Sequence, residues 1–366
     1  MIIAPGPRFV QGSFISSLDM MDSCTQDLPM QSDVRGRELD RRIVAALQLN
    51  GRAPWGTIAR YVGTSESTVL RRAAQLTESG QLRVIGVVDV LRCGLGVPVL
   101  VRFRCRPGTA TAVAEAVAAR PETRYASVLT GSADCTAEIV LPSHEDVARL
   151  EVHRLAGGDD VLETETLAVM RTFTSNHDWD SGVLDADAVA GLRGTDVRPF
   201  EEQLWERPPE RLDELDLAII AALGEDGRMP YKELARQVGA SESTAARRVD
   251  SLVRRGCLRF RTLAEPDILG FTVEFMLWLS VLPGRLDEAG QQLASHPGTR
   301  YLSATTGRFN LVGQVALRHF GELYRHTTDV VGALPGLQAA DVTLQVSTLK
   351  RAWTPTPATR TTLEDV

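Results

Sequence analysis

Apolar residues recur at Leu39, Ile43, Ala46 and Leu47, the spacing of one buried helix face. Gly51 stops that run. Ala53-Pro54 opens a second, short helix carrying Ile58, Ala59 and Val62, with proline at an early position that helices tolerate. Gly63 ends it. Ser65 is a favourable N-cap for a third helix with Val69, Ala73 and Leu76 inward, closed by Gly80. Arg83 to Val88 then predicts a strand pair or wing. Beyond it the period changes from helical to two: Val99, Val101, Phe103 and Cys105 alternate with Leu100, Arg102, Arg104 and Arg106, a strand with one buried face. A helix over 109–120, strands over 125–130 and 135–141, a helix over 143–155 and a strand over 162–173 complete a β-α-β-β-α-β order, the ferredoxin-like arrangement.

The chain writes this pattern twice. Laid on 215–270, residues 39–94 match at close to half of all positions without a gap. TSESTVLRRAAQL (64–76) returns as ASESTAARRVDSL (240–252), and Thr123-Arg124-Tyr125 returns as Thr299-Arg300-Tyr301. The second βαββαβ run is predicted as strand 272–282, helix 285–296, strands 299–305 and 310–317, helix 319–333 and strand 341–350. The expected fold is α+β, with two copies of a winged helix-turn-helix followed by a ferredoxin-like unit. The expected boundaries are a disordered tail 1–36, domains 37–92 and 93–174, a linker 175–210, domains 211–268 and 269–353, and a tail 354–366. Asp, Gly and Pro are frequent in the linker, so it reads as a flexible tether. Its root-mean-square reach is about 35 Å, from ~5–6 Å times the square root of length, close to one turn of DNA.

Two short helices joined by a tight turn form the helix-turn-helix pattern, which offers the start of its second helix to a DNA groove. In the first copy that start is Ser65, Glu66, Ser67 and Thr68, with Arg71 and Arg72 one turn on. The second copy has Ser241, Glu242, Ser243 and Thr244, then Arg247 and Arg248. Hydroxyls suit phosphate and base-edge contacts, and free N–H groups at a helix start favour phosphate. S-E-S-T-x-x-R-R stays fixed between the copies while inward positions drift, Val69 to Ala245 and Ala73 to Val249. Packing alone would keep the core and release the surface. The net charge of -7 argues against a nucleic-acid partner for the whole chain, but basic residues outnumber acidic ones over both 52–83 and 228–261. Local placement governs binding.

The five scattered cysteines form no C-x-x-C pair, which argues against a disulfide framework or zinc site and for a reducing cytoplasm. No apolar run approaches membrane-spanning length, and the N-terminus lacks the pattern of a secretory signal. No metal, phosphate-loop or nucleophile–base constellation is apparent. His144, His153, His319 and His326 lie on predicted helices and read as surface residues.

LDRRIVAALQLNGR and LDLAIIAALGEDGR, followed by SESTVLRRAAQLTESGQL and SESTAARRVDSLVRRGCL, resemble the helix-turn-helix of the Lrp/AsnC family, the feast/famine regulators. TGSADC and TGRFN stand where that family carries a Gly, two residues, then usually Asp. The resemblance spans 39–173 and 213–353. It implies a transcription regulator bound to double-stranded DNA, with sensor sheets pairing back to back into dimers and no cofactor. It also implies a small effector such as an amino acid near the Gly-x-x-Asp turn. That places candidate effector contacts at Thr130, Gly131, Ala133 and Asp134, and at Thr306, Gly307, Phe309 and Asn310. The tandem copies resemble a dimer fused into one polypeptide, able to associate further through its sensors. Two rivals stand beside this. Sirohaem decarboxylases resemble the family in fold and are expected to carry a His-Asn-Tyr segment and a Trp-Phe pair. The matching stretches here read RYASVL and RYLSAT, then CTAEIV and NLVGQV. The other rival is a sensor or scaffold that has lost DNA binding.

Overall fold

The structure, a computed structural model, describes residues 29–149, 158–175, 179–193 and 208–356. In chain order the first half holds α1 (Pro29–Leu49), α2 (Trp55–Val62), α3 (Glu66–Glu78), β1 (Leu82–Val88), β2 (Val97–Cys105), α4 (Ala110–Ala118), β3 (Thr123–Thr130), β4 (Cys135–Leu141), α5 (His144–Arg149) and β5 (Val161–Thr174). A connecting helix α6 (Ala186–Arg193) leads to α7 (Glu214–Glu225), α8 (Tyr231–Val238), α9 (Glu242–Arg254) and β6 (Leu258–Ala264). The second half closes with β7 (Val273–Val281), α10 (Leu286–Ala294), β8 (Thr299–Thr305), β9 (Leu311–Leu317), the helical turns α11 (322–331), β10 (Leu337–Arg351) and a short β11 (Thr354–Pro355).

Each three-helix head folds around the predicted stripes. Ile43, Leu47, Ile58, Val69 and Leu76 are buried in the first head, and Ile219, Leu223, Leu234, Val249 and Leu252 in the second. Gly63 and Gly239 end α2 and α8 in the left-handed region, a conformation that costs glycine nothing. The wing departs from expectation. Neither head holds a strand pair of its own; β1 of the first head pairs antiparallel with β6 of the second, from Leu82 opposite Ala264 to Val88 opposite Leu258. One strand per head has no return strand nearby, so its open backbone groups are satisfied by the other head.

The two βαββαβ runs also differ from the expected pair of separate sheets laid back to back. Within the first run the strand order is β3-β4-β2-β5, and within the second β8-β9-β7-β10. The last strand of each run is long and is shared. β5 pairs with β2 over 161–168, then with β8 over 169–174. β10 pairs with β7 over 337–345 and with β3 over 344–350. The result is one closed, barrel-like sheet, with no edge left open along these strands. Helix α4 covers a core of Val101, Phe103, Val113 and Ile139 outside it. Helices α10 and α11 cover Leu277, Leu293, Leu302 and Val331. Leu100, Leu167, Met276, Trp278, Phe309 and Val312 fill the inside.

Two boundary expectations are corrected. Helix α1 begins at Pro29, inside the segment read as a tail. Part of the linker is also built into the fold rather than free. Ala188, Val189 and Leu192 of α6 join the core of the first head, and Asn50 Nδ2 donates to the carbonyl of Leu192. Trp179 packs on Phe271 at 5.0 Å between ring centroids and donates its indole N–H to Pro297. Trp179 and the α6 face were apolar residues in a polar stretch. Residues 176–178 and 194–207 of the tether, 1–28 of the expected tail 1–36, 357–366 of the expected tail 354–366, and His153 lie outside the described residues.

Candidate nucleic-acid interface and sensor turns

Ser65 caps α3: its Oγ accepts from the N–H of Thr68 at 3.2 Å and sits 2.8 Å from Thr68 Oγ1. Ser241 does the same for Thr244 in α9, at 3.1 and 2.8 Å. Ser65, Glu66 and Ser67 are exposed, as are Ser241, Glu242 and Ser243, while Thr68 and Thr244 are half-buried. The free helix starts predicted for groove contact are therefore presented to solvent in both heads.

The paired arginines divide. Arg71 and Arg247 are exposed. Arg72 turns back to α1, where its Nη1 lies 2.9 Å from both carboxylate oxygens of Asp40. Arg248 does likewise to Asp216, at 3.0 Å, and Asp213, at 2.8 Å. Asp216 is buried and also belongs to the capping box that starts α7. The second arginine of each pair thus clamps the recognition helix onto the first helix. The clamp explains why Leu-Asp and Arg-Arg recur together in both copies.

The two heads are held as a pair. The Arg52 guanidinium donates to the carbonyls of Gly227 and Met229 at 3.0 and 3.2 Å. Arg228 reciprocates on Gly51 and Ala53 at 2.6 and 3.0 Å, and stacks over Trp55 at 3.7 Å. Burial and the neighbouring Arg52 push Arg228 down to about 10. A Cβ on Gly227 would sit 2.8 Å from the backbone of Ile85, so the turn needs glycine for close approach. The Gly-Arg that reads in sequence as a helix stop is a reciprocal bracket between heads.

Both sensor turns lie at one end of the barrel, in its seam. Asp134 Oδ2 accepts from the N–H of Cys105 at 2.7 Å. Asn310 accepts from Val281 N–H and donates to its carbonyl, both at 2.8 Å. These residues pin their own turns to the neighbouring strand. Ala133 and Phe309 are buried in the barrel interior, so Phe309 fills core and does not wall an open pocket. A Cβ on Gly131 would meet Thr343 of β10 at 3.1 Å, and one on Gly307 would meet Leu167 of β5 at 2.5 Å. Thr306 exchanges hydrogen bonds with Ala168 at 2.9 Å. Of the eight candidates, Thr130, Gly131, Thr306 and Gly307 face solvent.

Between the turns stands Arg102, which periodicity had placed on the exposed face of its strand. It is buried, pairs with Glu165 at 3.2 Å and Asp341 at 2.9 Å, and donates to Ser132 at 2.6 Å. Its guanidinium lies 4.3 Å from the Trp278 ring and 5.0 Å from Phe309. The exposed Arg308 of the second turn approaches the same Glu165 at 3.7 Å. No local pattern marks Arg102, because the barrel interior exists only once the two runs join.

Residues 38–77 and 212–253 match the profile of the AsnC-type helix-turn-helix domain. Residues 98–178 match that of the Lrp/AsnC ligand binding domain. An uncharacterized HTH-type transcriptional regulator of Pyrococcus abyssi is 31% identical over 141 residues, which is 38% of this chain and 89% of that protein. The chain belongs to the Lrp/AsnC family. Another relative, the HTH-type transcriptional regulator FL11 of Pyrococcus horikoshii, is 29% identical over 140 residues, covering 38% of this chain and 92% of its own. These Lrp/AsnC relatives each have about the length of one head plus one βαββαβ run. The siroheme decarboxylase NirDL shares the fold over a longer span. It superposes with a TM-score of 0.56 at 19% identity, over 86% of this chain and 93% of that one. Among the described residues of this Lrp/AsnC protein, no helix is long and apolar enough to cross a membrane.

Proposed function

We propose that this Lrp/AsnC protein is a sequence-specific, DNA-binding transcription regulator that acts as a pseudo-dimer within one polypeptide. The observation that carries the reading is the presentation of two equivalent recognition-helix starts, Ser65–Thr68 with Arg71 and Ser241–Thr244 with Arg247, by heads bracketed to each other. Two heads in one chain bind the second half-site at high effective concentration. Because Leu70 and Ala74 stand where the second head has Ala246 and Asp250, the operator should be an imperfect inverted repeat. The test is selection of bound duplexes from a random DNA pool, then retardation at two salt concentrations. Enrichment of a two-part site with steep salt dependence supports the reading; no enrichment above input sinks it.

Effector binding, in this proposal, falls to the solvent-facing tips Thr130, Gly131, Thr306 and Gly307. An amino acid or similarly small molecule would meet these backbone edges from outside the barrel, where a second copy of the chain could also dock. DNA retardation and light scattering with and without an amino-acid pool test both parts.

The NirDL likeness supports a second reading, a sirohaem-decarboxylase-like enzyme of the same fold. Against it, RYASVL and RYLSAT place Ala126-Ser127 and Leu302-Ser303 in buried strand positions with no histidine among them. Absence of an absorbance change on mixing the protein with sirohaem is the expected outcome; a red-shifted, saturable band would favour the enzyme.

A further inference from the structure

The head-facing end of the barrel holds a cavity of about 110 Å³, walled by both the wing strands and the barrel. This is not the end where the sensor turns lie. Its walls bring several charges out of water. Glu138 is bound by Arg124 through Nε at 2.9 Å and through Nη2. Arg351 is bound by Glu265 at 3.2 Å and Glu274 at 3.1 Å, and Glu274 also pairs with Arg300. Asp89 accepts from the backbone N–H of Arg92. Each carboxylate in or beside the cavity is therefore engaged.

Arg261 is different. It projects from β6 opposite Ile85 and lines the cavity. Its Nε is buried without a hydrogen-bond partner, and none of the described residues forms an ion pair with it. Burial first, then the neighbouring Arg300, Arg351 and Arg124, push it down to about 9, against a weaker opposing pull from Glu138. The hydroxyl of Tyr301, another lining residue, is likewise buried and unpartnered. Leu100, Val169, Met276 and Pro98 supply an apolar wall. Arg261 as a whole is half-buried, and holding a guanidinium nitrogen out of water without a hydrogen-bond partner is costly. A fork of N–H donors, a hydroxyl donor and an apolar wall together describe a small carboxylate with a short hydrocarbon tail. An ammonium group would find no unclaimed carboxylate here. A phosphate dianion would sit against Glu138 with nothing for the apolar wall to cover. An engineered apolar cavity of ~150 Å³ holds benzene, so the ligand has at most roughly that bulk.

We propose that this cavity binds a short-chain monocarboxylate, its carboxylate on Arg261 and Tyr301 and its tail against Leu100 and Met276. The grip would join a wing strand of the head pair to the barrel. The site is separate from the sensor turns and does not depend on DNA binding.

The test uses the full chain with butyrate as probe, inorganic phosphate as the alternative anion, and chloride at matched ionic strength as reference. Butyrate should bind one per chain by calorimetry and raise Tm steadily with each tenfold increase in concentration. The Arg261→Met variant should lose tenfold or more in affinity, and Tyr301→Phe should lose less. Without ligand, Arg261→Met should melt no lower than the parent, since it replaces a half-buried guanidinium that lacks an ion pair with an apolar chain of similar bulk. That result separates lost binding from lost folding. No butyrate binding, equal binding by Arg261→Met, or binding of phosphate but not butyrate would each overturn the proposal.

Discussion

The duplicated Arg-Arg shows how one dipeptide can hold two roles. On an α-helix, neighbouring residues point about 100° apart, so Arg71 and Arg72 cannot serve the same surface. Arg72 with Asp40 is an intrachain clamp about three-quarters removed from solvent; Arg71 is free to meet DNA. Arg71→Ala and Arg247→Ala should weaken DNA binding and each lower the salt slope by about 1, with Tm unchanged. Arg72→Met should instead lower stability by about 1–3 kcal/mol, the value of a hydrogen-bonded charge pair, in denaturant titrations. Equal salt slopes in the parent and the Arg71 and Arg247 variants would refute the division. At this scale the sequence made the pair conspicuous but not its partition, because Asp40 and Arg72 meet only after α1 packs across α3. The Gly-Arg brackets were hidden for the same reason, since their acceptors lie in the other head.

At the scale of elements, period and caps located nearly every helix and strand, and the caps are worth testing. Ser65→Ala and Ser241→Ala should each cost about 0.5–2 kcal/mol, read as a lowered unfolding midpoint. What local patterning missed was partnership. β1 looked like half of a hairpin, yet its mate is β6. β5 and β10 each pair with strands of both runs, and the strand predicted over 341–350 was no longer than the one predicted over 272–282, so its length did not announce the sharing. Helix α11 is a further case, starting as an α-helix over Glu322–Arg325 and widening to a π-helix over His326–Val331. The widening accompanies the burial of His326, which helical spacing had assigned to the surface. His326 stacks on His296 at 4.8 Å between ring centroids, and neither of its ring nitrogens has a hydrogen-bond partner. Burial first, then the neighbouring His296, pushes it down to about 4, against a weaker opposing pull from Glu322. Its pKa in the fold is therefore below the unfolded value of about 6.5. The unfolded chain binds the extra proton first, so stability should fall as pH drops from about 6.5 and level off near 4. His326→Leu should flatten that part of the stability–pH curve; an unchanged slope would place its origin elsewhere.

At the scale of the molecule, the unanticipated property is rigidity between the heads. A flexible tether alone would let each head find its half-site at a range of spacings. Here seven residues of β1 pair with seven of β6, Arg52 and Arg228 close the bracket, and α6 ties the connecting segment to the first head. The distance between recognition helices is thereby set by the fold, and half-sites must match it on one face of the duplex. Inserting about 5 bp between the half-sites of the selected operator turns one of them roughly half a helical turn away. Affinity should then fall to that of a single head. Inserting about 10 bp restores the face but not the distance, so it should recover little. A tethered pair would recover nearly all of it. Arg52→Ala with Arg228→Ala should soften the bracket and narrow the gap between the native and 10 bp spacings, with β1–β6 pairing still limiting the range. Retardation on these three duplexes, with parent and double variant side by side, decides between a fixed reader and two heads on a leash.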